Sequence, residues 1–65
     1  MSPEAFKQWL AEMKSAGLAR SDIDAVRQLG YSAPNTATKL KREGASRQVA
    51  LACTALLHRM RPYGE

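Results

Sequence analysis

This chain has little with which to staple a small fold. Its 65 residues contain one cysteine, Cys53, and one histidine, His58, so an internal disulfide and a zinc-type ligand set are both excluded. The four glycines stand apart from one another, which rules out a glycine-rich phosphate cradle. No apolar run approaches the ~18 residues of a membrane span, and no signal-peptide core is present, so a cytoplasmic protein is expected. Catalytic groups are also scarce. Cys53 and His58 lie five positions apart, about 140° around a helix, and cannot readily activate each other. Asp22 and Asp24 fall in a helix first turn, where negative charge suits the macrodipole, and read as capping residues rather than paired catalytic carboxylates. The expectation is a non-enzyme with no metal, no cofactor and no small-molecule ligand. A chain this short buries only ~60% of its unfolded surface, so self-association is the expected supplement to its stability.

What is present is helical periodicity. Phe6, Trp9, Leu10 and Met13 form an i, i+3, i+4, i+7 stripe behind Ser2 and Pro3. Such an aromatic stripe can stack on bases, but at this spacing it is better read as core. Ser21 followed by Asp24 gives a capping-box pattern, and Ile23, Val26 and Leu29 recur at threes until Gly30. Pro34 is expected as the first residue of the next helix, with Ala37 and Leu40 facing in. Asn35, Thr36, Thr38, Lys39, Lys41 and Arg42 then face out. Ser46 caps a last helix whose Val49, Cys53, Leu56 and Met60 are expected to pack on the first two, with Pro62 stopping it. The reading is all-α: one domain over 1–65, with helices at about 3–16, 22–29, 34–42 and 46–61. Two short helices around a tight turn, the second polar and basic outside, describe a helix-turn-helix DNA reader.

Charge placement agrees. Residues 1–38 carry four basic and four acidic side chains, whereas residues 39–65 carry six basic and two acidic. The whole net +4 therefore begins at the outer face of the second helix of that motif. A basic face can serve solubility alone, but at this location attraction to phosphate explains it better.

The series "S21…A25…L29-G30", "S32…P34-N35-T36-A37-T38", "E43-G44" and "V49-A50-L51-A52-C53…A55-L56" resembles the Cro/C1-type (XRE-like) helix-turn-helix regulators. The likeness covers about residues 6–58. It is to the short forms carried by phages and integrative conjugative elements, including quorum-sensing-linked repressors of rhizobial symbiosis elements. The chain departs from them in a longer turn between Leu29 and Pro34, in Leu40 where an aromatic is frequent, and in the extra basic pair of "KLKREG". The resemblance implies a compact four- to five-helix, lambda-repressor-like domain. It also implies a homodimer on palindromic double-stranded DNA and control of a nearby promoter, by repression or by both repression and activation.

On that reading Asn35, Thr36, Thr38, Lys39 and Arg42 contact bases, since Asn suits adenine and Arg or Lys suits guanine. Asn35 has an alternative role as a helix cap. Arg20, Ser21, Ser32, Lys41, Ser46 and Arg47 are candidates for phosphate contacts, the serines because they precede helices. Leu56, Leu57, Met60 and Tyr63 are candidates for the dimer interface. The rival reading is a small helical antiactivator that binds a transcription factor through Leu57, Met60 and Tyr63.

Overall fold

Three serines start three of the helices. In the computed structural model, which describes residues 1–65, Ser2 Oγ accepts from the Ala5 amide at 3.1 Å, Ser21 Oγ from Asp24 at 3.1 Å and Ser46 Oγ from Val49 at 3.2 Å. Each bond satisfies an amide that the helix itself leaves unpaired. The resulting elements are α1 Pro3–Ser15, α2 Asp22–Gln28, α3 Thr36–Glu43 and α4 Arg47–Leu57, with no strand. None of these helices is long and apolar enough to cross a membrane.

The core is built around α1, which touches each of the other three helices. Phe6, Trp9, Leu10 and Met13, the predicted stripe, are all buried, and Phe6 and Met13 are fully enclosed. The Phe6 and Trp9 rings lie 5.5 Å apart at a 37° tilt. The aromatic stripe is therefore core and is not open to bases. Ala25 and Val26 close the core from α2, Ala37 from α3 and Cys53 from α4. Trp9 Nε1 donates to the Cys53 carbonyl at 3.0 Å, so the largest apolar side chain also has its one polar atom paired. Deleting a side chain such as Phe6 costs ~3–5 kcal/mol, as much as the entire stability expected of so small a core.

The ends of the helices carry much of the design. At α1, Leu18 N–H reaches Met13 O at 2.9 Å and Gly17 N–H reaches Lys14 O at 3.1 Å, with Gly17 at φ +74°. This is a Schellman close that folds Leu18 back under the helix. At α4 the same pair of bonds recurs, Met60 N–H to Ala55 O at 2.8 Å and Arg59 N–H to Leu56 O at 3.0 Å. Here an arginine, Arg59, occupies the left-handed position at φ +59°. At the α3–α4 turn the chain start is clasped: Ala45 N–H donates to Met1 O, and the Met1 nitrogen donates to Ala45 O, each at 2.9 Å. Gly44 sits beneath that clasp at φ +85°, buried, with no room for a side chain.

Four expectations need correction. The third helix starts at Thr36, not Pro34, because Thr36 N–H closes a tight turn on Ala33 O at 3.3 Å before helical bonding begins. Ile23 is 47% exposed rather than inward. Residues spaced by three drift about 60° per step, so over one short helix Ile23 and Leu29 diverge by about 120°, and Ala25 takes the inner place beside Val26. The last helix ends at Leu57, not near residue 61, because the Schellman close precedes Pro62. Met60 consequently lies outside the helix, 62% exposed, instead of on its packing face.

Candidate nucleic-acid interface

α3 has two distinct sides. Ala37 is buried and Leu40 half-buried against the core, which fixes the helix by one edge. Counting 100° per residue, Asn35, Thr38, Lys39 and Arg42 fall within an arc of roughly 100° centred opposite those anchors. All four are exposed. Structure thus brings together four of the five candidate base-reading residues. Thr36 stands about 100° from Asn35, half-buried on the flank. Asn35 occupies the N-cap position at φ −91° and ψ 1° yet makes no capping bond. The alternative role as a cap is therefore not taken, and its amide is free. Arg42 meets only the neighbouring Glu43 at 3.0 Å, and their side chains are 72% and 51% exposed, so the pair is readily exchanged.

Beside this stripe, where α2 begins, an open groove is lined by Lys14, Arg20, Ser21, Asp22, Thr38 and Lys41. The Ser21 hydroxyl is engaged as the α2 cap, and the Asp24 carboxylate turns back to accept the Arg20 amide at 2.9 Å. Asp22 is the carboxylate lining the groove. Its Oδ1 lies 2.8 Å from Lys14 Nζ on α1, and its Oδ2 accepts from Lys41 Nζ on α3 at 2.9 Å. These two ammonium groups hold Asp22 below the usual carboxylate range, outweighing the opposite effect of burial. Lys41, expected to be free on the outer face, is half-buried and bound into this bridge.

The remaining candidates are dispersed. Ser46 and Arg47 are exposed where α4 starts, close in sequence to the end of α3. Ser32 is exposed in the α2–α3 connection, four residues before α3, so it does not stand at a helix start. Leu56 and Leu57 are half-buried and pack on the core of their own chain, while Met60 and Tyr63 are open at 62% and 106% exposure. Leu51 of α4 is likewise 62% exposed. Burial raises the Cys53 thiol to about 11, which keeps it protonated. No three His, Cys, Asp or Glu side chains converge as a metal site would require.

The role of Asp22 was not visible in sequence. Position 22 announces a helix first turn, and nothing in the spacing to Lys14 or Lys41 announces that three helices meet there. No protein-family model, curated protein or solved structure matches this chain.

Proposed function

We propose that the chain is a non-enzymatic, sequence-specific DNA-binding regulator, with α2 and α3 serving as a helix-turn-helix and α3 entering the major groove. The observation that carries this reading is the exposed Asn35, Thr38, Lys39 and Arg42 stripe lying opposite the Ala37 and Leu40 anchors. A helix with its side chains is about 10–12 Å across, which a major groove about 12 Å wide admits. Asn35, Thr38, Lys39 and Arg42 read base edges, with Thr36 at the margin. Arg20, Ser21, Ser46 and Arg47 meet the flanking phosphates. The excess of basic residues from Lys39 onward supplies the sequence-independent attraction.

One short helix reads few base pairs, so two copies joined about a two-fold axis are proposed to bind a near-palindrome with half-sites ~10 base pairs apart. Leu51, Met60 and Tyr63 are exposed apolar side chains available to that pairing. The regulator acts in the cytoplasm, most simply as a repressor of its own neighbourhood.

The test is binding to duplexes selected from a random library, measured against unselected DNA. Asn35→Ala and Thr38→Ala are expected to lower the preference for selected sites, by about 1–3 kcal/mol where a bidentate base contact is lost. Arg47→Ala is expected to weaken both kinds of DNA alike and to make the salt dependence shallower. Failure to select any sequence would refute the reading and leave the antiactivator alternative, to which Met60 and Tyr63 are equally exposed.

A further inference from the structure

The groove beside α3 holds three cations and one anion. Lys14, Arg20 and Lys41 line it from α1, the α1–α2 connection and α3, and Asp22 stands between two of them. Lys41 Nζ and Lys14 Nζ sit at 2.9 and 2.8 Å from opposite oxygens of that one carboxylate. A phosphate approaching Thr38 or Arg20 meets lysines that already have a partner at contact distance. The other nearby carboxylate, Asp24, is turned to the Arg20 amide and does not serve them.

We propose that Asp22 is a built-in counter-anion: it withholds Lys14 and Lys41 from the DNA backbone and so limits how tightly the α3 face holds DNA of any sequence. This rests on the DNA-binding reading above. The physical reason is that a phosphate contact gains most of its free energy from releasing condensed cations, and an ammonium neutralised by its own protein offers less of that gain. The restraint is useful to a reader of bases. Phosphate contacts carry no sequence information, so a fully free cationic groove would strengthen random binding as much as operator binding. Across a genome, random sites greatly outnumber operators, and occupancy at the operator then falls.

The experiment is fluorescence anisotropy with a labelled random-sequence duplex at several salt concentrations, each variant first checked by circular dichroism and thermal melting. Asp22→Asn is expected to tighten binding about three- to tenfold at 0.1 M salt and to steepen the salt slope by about one. Lys41→Gln is expected to cost little in the wild-type background and to cancel most of the gain in the Asp22→Asn background. Asp22→Ser, also compatible with a helix first turn, repeats the measurement if the asparagine variant does not fold. Binding that is unchanged or weaker in a folded Asp22 variant would overturn the inference while leaving DNA binding standing. An equal effect of Lys41→Gln in both backgrounds, which diffuse charge alone would give, would do the same. A wild-type chain that binds no duplex would overturn the DNA reading and this inference with it.

Discussion

Gly44→Ala should be the most damaging single-methyl change in this molecule. A Cβ at position 44 would lie 2.5 Å from Met1 O and 3.2 Å from both Pro3 Cδ and Pro3 N. Backbone atoms cannot swing aside as a flexible side chain does, so the chain start must leave its place. Departure breaks the two 2.9 Å bonds between Met1 and Ala45, each worth ~0.5–1.5 kcal/mol net. The backbone at φ +85°, ψ −172° is moreover a region populated essentially by glycine, costing any other residue ~1–3 kcal/mol. The total is about 2–6 kcal/mol, comparable to the ~3–5 kcal/mol that a core of this size supplies. Gly17→Ala is the control: φ is +74°, but nothing lies within 4 Å of the added methyl. Only conformational cost applies there, ~1–2 kcal/mol, partly offset by the stiffer unfolded chain. Urea denaturation followed by the fluorescence of the single buried tryptophan, Trp9, compares the two directly. The midpoint for Gly44→Ala should collapse, or the variant should be unfolded in buffer, whereas Gly17→Ala should retain a cooperative transition. Equal losses within ~0.5 kcal/mol would refute the argument that the clasp, rather than φ alone, demands glycine.

Three further outcomes follow from other features. Arg59→Gly should raise stability by about 0.5–1 kcal/mol in the same denaturation assay, because the left-handed cap at φ +59° is strained for arginine and the gain exceeds glycine's entropic cost. Asp22 has its pKa lowered below 3.8 in the folded state, so its contribution is fully present above about pH 4 and is lost as pH falls through the lowered value. Stability measured from about pH 5 down to about pH 2 should therefore decline more steeply in the wild type than in Asp22→Asn, and parallel curves would contradict the bridge. Cys53, 1% exposed and held protonated, should react with a thiol reagent only at the rate of unfolding, whereas rapid labelling of the native protein would show that α4 is not docked as described.

Legibility from sequence followed the range of the interactions. α1, the serine caps and the Gly17 close depend on neighbours three to five positions away, and those neighbours are written in the chain. Ala37 and Leu40 as the inner edge of α3 were legible for the same reason, since they are the only apolar residues of that helix and lie three apart, on one face. Pro34 misled because a proline suits both a first helical turn and a tight turn, and only the Thr36 to Ala33 bond distinguishes them. The end of α4 misled because Pro62 is a visible stop, whereas an arginine in a left-handed cap is not. In the candidate interface, the exposed stripe could be read from periodicity. The Lys14–Asp22–Lys41 bridge could not, because its members come from three helices and any one of them reads as a solvated charge.

The Trp9 to Cys53 bond spans 44 positions, as does the clasp between Met1 and Ala45. Closing a loop of that length costs roughly 3 kcal/mol of chain entropy, which must be met before either contact is gained. A chain that stops before Cys53 therefore lacks both the acceptor of the Trp9 indole and the part of the core that α4 supplies. Nascent chains stopped before that point should remain protease-sensitive throughout, with no separately folded α2–α3 piece. The presentation of α3 is thus an all-or-none property, tied to the docking of α4 on α1.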